Sequence, residues 1–133
     1  ARECGVAGRV RFLGLMPREQ ALAHAATAQI FVQVSHYEGH SLALIEAARM
    51  GLALVVSNVP VQVEGITNPS GRQCGSAVPV GEYMALGGVL VRLLADAQER
   101  GQWSDRARGL GLAVSNAAMV DAYESLLVCG RSK

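Results

Sequence analysis

The segment Ile30–Ala48, with the sequence IFVQVSHYEGHSLALIEAA, decides the fold class of this 133-residue chain. Its first five residues are mostly apolar and β-branched, which is typical of a buried strand. A polar turn follows, and Ser41 has the position and the side chain of a helix N-cap. Helical spacing continues to Met50, and Gly51 provides a stop. A buried strand joined to a helix by a short loop is the repeating unit of α/β folds, so the segment predicts that class.

Further predicted strands and helices alternate on both sides of this segment. The predicted strands are Val10–Leu13, Ile30–Val34, Leu52–Ser57 and Gly75–Val80. The predicted helices are Arg18–Ala28, Ser41–Met50, Val61–Ile66, Tyr83–Ala95, Gln98–Gly109 and Ser115–Val128. Alternation of this kind predicts an α/β fold with a Rossmann-like parallel sheet and flanking helices. In such sheets the loops after the strands share one edge, and ligands bind there.

Composition indicates one globular domain spanning residues 1–133, because half of the residues are hydrophobic and 17% are charged. The net charge is +1, with 12 basic and 11 acidic residues, so we expect no nucleic-acid partner. Cys4, Cys74 and Cys129 are odd in number and far apart, which predicts free thiols in a reducing cytoplasm. No cysteine pair has metal-ligand spacing and no apolar stretch reaches about 18 residues, so we expect neither a metal site nor a membrane-spanning helix.

Two carboxylates flank the predicted helix start. Glu38 lies in the loop after the strand and Glu46 lies on the helix, with seven residues between them. The free N–H groups and the positive dipole end of a helix start attract an anion such as a phosphate. Carboxylates beside that start can accept hydrogen bonds from the hydroxyl groups of a sugar or a ribose. The combination predicts a nucleotide-sugar ligand at the sheet edge.

A wider pattern surrounds these two glutamates and extends over almost the whole chain. It comprises Val10–Gly14, Ala25–Ala26, Ile30–Val32, Ser35, Tyr37–Gly39, Leu44–Ala47, Gly51, Val55–Ser57, Glu64, Gly75, Val78–Pro79, Leu93–Asp96 and Arg100. With these residues in this order, the chain resembles the C-terminal, donor-binding domain of retaining GT-B glycosyltransferases of family 4, also called group 1. The resemblance implies part of the C-terminal half of a GT-B fold, truncated at its N-terminus.

The predicted site residues take their roles from that resemblance. It implies that Glu38 is the catalytic residue near the reacting end of the donor sugar, that Glu46 binds the ribose hydroxyls, and that the loop containing Met16 lines the base. The turn whose backbone amides approach the donor phosphates and sugar comprises Gly39, His40, Ser41 and Leu42. Two simpler interpretations stay open: Glu38 as a polar turn residue, and Glu46 as a solvated residue paired with Arg49 on the same helix.

The implied reaction transfers a sugar from a UDP-, GDP- or ADP-linked donor to a glycan or lipid acceptor with retention of configuration. The family generally uses neither a cofactor nor a metal, so positioning and charge stabilisation of the leaving diphosphate carry the reaction. The arginine and lysine that usually hold the diphosphate would lie upstream of Ala1, and Lys133 is the only lysine of this chain. We therefore expect the chain to be inactive by itself and to need the N-terminal domain of the same protein as a partner.

The first strands of the family domain are absent from the pattern, so we expect an exposed sheet edge at which a second copy of the chain could pair. No signal peptide is visible at the start of the sequence. The resemblance implies a cytoplasmic location, with peripheral association of the full-length protein with the inner face of the membrane.

Other functions compete with glycosyl transfer. A nucleotide-sugar epimerase of another GT-B branch is less favoured because the second glutamate is helix-borne. A GT-B module that binds nucleotide sugars or partner proteins without catalysis stays open. A flavodoxin-like signalling domain is set aside, because its phosphoacceptor would be an aspartate at a strand end. The aspartates here are all on predicted late helices, at Asp96, Asp105 and Asp121.

Overall fold

The computed structural model describes residues 1–39, 41–114, 120–121 and 124–125. The helices are α1 (Arg18–Ala26), α2 (Leu42–Met50), α3 (Pro60–Gly65), α4 (Tyr83–Ala95) and α5 (Ala97–Ala113), preceded by a short 3₁₀ turn at Ala7–Arg9. The strands are β1 (Ile30–Gln33), β2 (Ala53–Ser57) and β3 (Gly75–Val78). The predicted alternation of strands and helices is therefore confirmed between α1 and α5. None of the described helices is long and apolar enough to cross a membrane.

The three strands form one parallel sheet in the order β1-β2-β3. The central strand pairs on both sides, with Val55 opposite Val32 of β1 and opposite Ser76 of β3. All five of its residues are buried. An uninterrupted apolar run of this kind is expected of a parallel strand that is covered on both faces.

Side chains of β2 alternate between two apolar layers, one on each face of the sheet. Leu54 and Val56 point into the larger layer, which α2, α3 and the second half of α5 complete. Ala53 and Val55 point into the smaller layer, where Leu93 of α4 is buried. The sheet is thus sandwiched between helices, which is the α/β arrangement that the sequence predicts.

Local residues start and stop α2 at the predicted places, and a local cap also starts α5. The Ser41 hydroxyl accepts a hydrogen bond from the N–H of Leu44 at 3.2 Å, so Ser41 is the N-cap of α2. Gly51 ends that helix with φ of +74°, a left-handed conformation that favours glycine. Asp96 separates α4 from α5 and caps α5 through the N–H of Glu99 at 2.8 Å.

The predicted strand at Val10–Leu13 is wrong. These residues have no regular secondary structure, and Phe12 is 88% exposed. A strand forms when its backbone groups pair with a neighbour, and the described sheet consists of β1, β2 and β3 alone. The apolar sequence of Val10–Leu13 is therefore not sufficient to make it a strand in this chain.

Most of the other helix and strand boundaries differ from the prediction by one or two residues, and the end of α5 differs by four. The first strand ends at Gln33 rather than Val34, and α5 continues through Gly109 and Gly111 to Ala113. Both glycines were expected to end that helix, but packing against α2 outweighs their low helix propensity. The predicted helix Ser115–Val128 falls largely outside the described residues.

Close packing between α2 and α5 depends on Gly111. A Cβ at this position would lie 2.5 Å from the backbone nitrogen of Arg49 and 2.8 Å from the carbonyl carbon of Ala48. The Arg49 guanidinium reaches across the same contact and donates hydrogen bonds to the carbonyls of Gly111, at 3.3 Å, and of Val114, at 2.6 Å. The two helices are thus joined backbone to backbone.

We predict that Gly111→Ala destabilises the protein by about 1–3 kcal/mol, because the added methyl group meets backbone atoms that cannot move independently. Gly109→Ala is the matched control, since no atom lies within 4 Å of the position of its Cβ. In the same helix that control should be neutral or stabilising by up to about 1 kcal/mol. Urea denaturation of both variants measures the difference, and equal free energies of unfolding would contradict the packing argument.

Candidate functional site

The loop between β1 and α2, residues 34–41, carries the first predicted carboxylate and is called the Glu38 loop below. It leaves β1 at the carboxyl edge of the sheet, where the loops after β2 and β3 also begin. Glu38 is half-buried and Gly39 is exposed. His40 lies outside the described residues. The loop is thus at the edge where α/β proteins bind ligands.

The second carboxylate lies on an accessible face of α2. Leu42 begins this helix and is 74% exposed, and Glu46 is one turn further along on the same face. The Glu46 side chain is 26% exposed and forms an ion pair with Arg18 at the start of α1. The alternative pairing with Arg49 is wrong, because the Arg49 side chain points to the carbonyls at the end of α5. Glu46 is therefore held at the surface by a neighbouring helix.

Hydrogen bonds from β2 fix the start of the Glu38 loop. Ser57 is 1% exposed, and its hydroxyl accepts from the N–H of Ser35 at 2.6 Å. The same hydroxyl donates to the carbonyl of Ser35 at 2.7 Å. Ser35 lies beyond the end of β1, so it lacks the backbone partner that a continuing strand would have. The Ser57 hydroxyl takes the place of that partner.

A second set of hydrogen bonds connects the loop to α3. The Gln62 side chain is 1% exposed; it accepts from the N–H of Ser57 at 2.9 Å and donates to the carbonyl of Gln33 at 3.1 Å. The Gln33 side chain accepts a hydrogen bond from the hydroxyl of Ser41 at 2.8 Å. The two ends of the loop are therefore linked through one polar network, called the buried network below because its central members, Ser57 and Gln62, are buried. It comprises Gln33, Ser35, Ser41, Ser57 and Gln62.

A cavity of about 330 Å³ lies between the start of α2, α3 and the end of α5. Gly39 and Ser41 form part of its wall, Glu64 and Asn68 provide polar groups, and the remainder is mainly apolar. Glu46 does not line it, because that side chain faces α1. The predicted residues thus divide between two flanks of α2, with the Glu38 loop at the junction.

Among the described site residues that were predicted, Met16 has the least direct connection to the others. It is half-buried in the segment before α1, two residues from Arg18, while its neighbour Leu15 is fully exposed. The contact between Arg18 and Glu46 brings this segment to the flank of α2 that carries Glu46. Among the described residues, no group of three His, Cys, Asp or Glu side chains could hold a metal ion.

Comparison with known proteins identifies the family to which this chain belongs. A family model described as glycosyl transferases group 1 matches residues 1–110. The chain belongs to the group 1 glycosyltransferases. Over 106 residues this group 1 glycosyltransferase chain is 31% identical to O-antigen chain mannosyltransferase B of Escherichia coli, an alignment that covers 80% of the chain and 26% of that protein.

A solved structure supports the same fold. The group 1 chain superimposes on sucrose-phosphate synthase from Thermosynechococcus elongatus with a TM-score of 0.73 and 26% sequence identity. The match covers 96% of this chain and 33% of that one. The likeness confirms the predicted Rossmann-like architecture of part of a GT-B glycosyltransferase. The chain spans less than two thirds of either relative.

The buried network is the part of the site that the sequence analysis missed. Two signals in the sequence could have indicated it. Gln33 is polar within the apolar run of β1, and Gln62 is polar between Val61 and Val63. A polar residue inside an apolar run predicts a specific buried hydrogen bond when the residue faces the core. Which face Gln62 occupies follows only from the packing of α3.

We predict that Ser41→Ala lowers the free energy of unfolding of this group 1 chain by about 1–2 kcal/mol, because α2 loses its N-cap and Gln33 loses a donor. Ser70→Ala is the control: its hydroxyl lies in an exposed turn and donates to Asn68 beside it. That variant should stay within about 0.5 kcal/mol of wild type. Thermal or urea unfolding of the two variants separates the effects, and equal losses would argue against a specific role of the cap.

Proposed function

We propose that this chain is the donor-binding part of a retaining glycosyltransferase. The enzyme transfers a sugar from a UDP-, GDP- or ADP-linked donor to a glycan or lipid acceptor. Membership of the group 1 family supports glycosyl transfer. The observation that carries the more detailed proposal is the placement of Glu38 and Glu46 on either side of the start of α2, at the carboxyl edge of the sheet.

The two carboxylates have separate roles in this proposal. Glu46 accepts hydrogen bonds from the ribose hydroxyls, and its location on a rigid helix suits a binding contact. Glu38 lies close to the reacting end of the donor sugar, where a negative charge stabilises an oxocarbenium-like transition state. Between them, Gly39, Ser41 and Leu42 present the backbone N–H groups of a helix start to the donor phosphates. His40 and Met16 complete the proposed contacts, to the sugar and to the base.

The relatives support a carbohydrate acceptor. The name of the Escherichia coli relative assigns it the transfer of mannose to an O-antigen chain, and that of the solved relative assigns it the synthesis of sucrose phosphate. Both are reactions that join sugars. We propose a glycan or lipid-linked acceptor for the present protein, with no cofactor and no metal, so that charged and N–H groups alone stabilise the leaving diphosphate.

Several parts of the proposed enzyme lie outside this chain. We propose that the N-terminal domain of the same protein binds the acceptor, and that the complete protein works in the cytoplasm, peripherally at the inner face of the membrane. The free edge of β1 is a place where a second copy could associate. Because positioning of both substrates supplies much of the rate enhancement in such transfers, one half of the cleft should not catalyse them.

We predict that the 133-residue chain alone releases no nucleotide from UDP-glucose, GDP-mannose or ADP-glucose above the rate of spontaneous hydrolysis. The physical reason is that the acceptor and the donor must be held together for the transfer. A coupled assay for released nucleoside diphosphate checks this expectation. Enzyme-dependent release from any of the three donors would show that the chain is sufficient for hydrolysis and would contradict it.

We predict that one of UDP, GDP and ADP causes saturable changes in the NMR signals of Gly39 and Leu42, and that Glu46→Ala weakens this binding about tenfold or more. The loss corresponds to hydrogen bonds between a charged group and two hydroxyls. The nucleotide that binds most tightly identifies the base of the donor.

Glu19→Ala is the matched control for charge. It removes the same carboxylate from an exposed position on α1, so its affinity should equal that of wild type. Equal losses of affinity in the two variants would indicate a general electrostatic effect rather than a ribose contact. No binding of any nucleotide by the folded wild-type chain would count against the donor-binding proposal.

A further inference from the structure

Gln62 is the central member of the buried network that fastens the Glu38 loop. We propose that Gln62 is a positioning residue, which holds the loop in the shape in which Glu38 and the neighbouring amides meet the donor. The inference rests on the proposed function and adds to it a residue that lies on neither the loop nor α2.

Gln62 acts through other residues. It lies on α3 and is 1% exposed; although it forms part of the wall of the cavity beside Gly39 and Ser41, its side-chain amide is engaged in hydrogen bonds within the protein. Its amide oxygen accepts from the N–H of Ser57, and its amide nitrogen donates to the carbonyl of Gln33. Ser57 ends β2 and Gln33 ends β1. One side chain therefore bridges the ends of two adjacent strands.

Both strand ends are in turn hydrogen-bonded to the loop. Ser57 holds the N–H and the carbonyl of Ser35, two residues into the turn that leads to Glu38. Gln33, whose backbone Gln62 holds, binds the hydroxyl of Ser41 with its own side chain. A displacement of the Gln62 amide consequently reaches the loop at its beginning and at its end.

Packing alone does not require an amide at this position, because methionine and glutamine have similar length and volume. Ile66, four residues further on, is apolar and fully buried. A methionine of similar length would fill the space occupied by Gln62, but it would leave the Ser57 N–H and the Gln33 carbonyl without this partner. Burying an amide is favourable only when its hydrogen bonds are made, and here both are made to the strand ends that support the loop.

The test uses the 133-residue chain with UDP, GDP and ADP as probes and measures two quantities: hydrogen exchange of the Ser35 amide, which donates to the Ser57 hydroxyl at the start of the loop, and the Kd of the nucleotide. In Gln62→Met we expect this amide to exchange about tenfold faster and the Kd to rise about tenfold. Ile66→Val is the matched control. It removes a methyl group from the same layer without removing a hydrogen bond, so its unfolding midpoint should fall while both measured quantities stay as in wild type.

Gln62→Glu provides a conservative rescue, which also keeps the test usable if Gln62→Met does not fold. Burial favours the neutral acid, which can accept from Ser57 and donate its O–H to Gln33 as the amide does. Ionisation removes the donor to Gln33. Relative to wild type at the same pH, we therefore expect normal loop exchange and affinity near about pH 5, and faster exchange with weaker binding near about pH 8.

The outcomes separate the inference from the proposed function. Faster loop exchange together with weaker nucleotide binding, rescued at low pH in Gln62→Glu, supports the positioning role. Unchanged loop exchange in the variants overturns it, and so does faster exchange with unchanged Kd. If the wild-type chain binds none of the three nucleotides, the proposed function is wrong, and so is the role of Gln62 in donor binding. In that case the exchange data still show whether Gln62 holds the loop in place.

Discussion

Burial of β2 on both faces is the constraint on which the rest of the structure depends. Its five residues pair with a strand on each side and contribute side chains to both apolar layers. The strand is apolar until it reaches the carboxyl edge, where Ser57 turns a buried hydroxyl toward Ser35. The strand at the centre of the core, β2, is thus also hydrogen-bonded to the Glu38 loop of the candidate site. Core packing and loop geometry are continuous through this one residue.

The two carboxylates of the site are supported in different ways. Glu46 is on a helix whose opposite face packs closely on α5 through Gly111, and Arg18 steadies its side chain at the surface. Such an exposed ion pair adds little stability. Glu38 is on a loop whose described residues have no regular secondary structure. Hydrogen bonds to the backbone of Ser35 hold the loop at its start, and a hydrogen bond between the Ser41 and Gln33 side chains holds it at its end. In the proposed enzyme, the ribose contact is therefore rigid because of packing, and the contact with the reacting sugar is rigid because of hydrogen bonds.

Much of this arrangement could be predicted from sequence, because it depends on local chemistry. Ser41 and Gly51 mark the start and the end of α2 in the sequence, and they do so in the structure. The apolar run of β2 identifies a strand that is covered on both faces. The strand predicted at Val10–Leu13 failed for the opposite reason. Its formation needs a partner, and no property of the four residues themselves reports whether one is present. Local patterns specify caps and periodicity, whereas pairing is a property of the surroundings.

The hydrogen-bond partners within the buried network could not be predicted for a related reason. A glutamine in a short helix has no local signal for its partners, and those of Gln62 lie 5 and 29 residues away in the sequence. The partner of Glu46 likewise had no local signal: Arg49, considered as an alternative partner, is near in sequence, whereas Arg18 is near in space. The family resemblance gave the positions of the glutamates but no information on what holds them. Their supporting residues follow from how α1 and α3 pack.

The hydrogen bond from Arg49 to the carbonyl of Val114 has a mechanical consequence. It fastens the point where the chain leaves α5 to the helix that carries Glu46, and Gly111 lets the two backbones touch directly beside it. Because the two backbones are in direct contact there, α2 and the end of α5 should move as one rigid unit. The position of Glu46 is therefore fixed relative to the end of α5 at Val114.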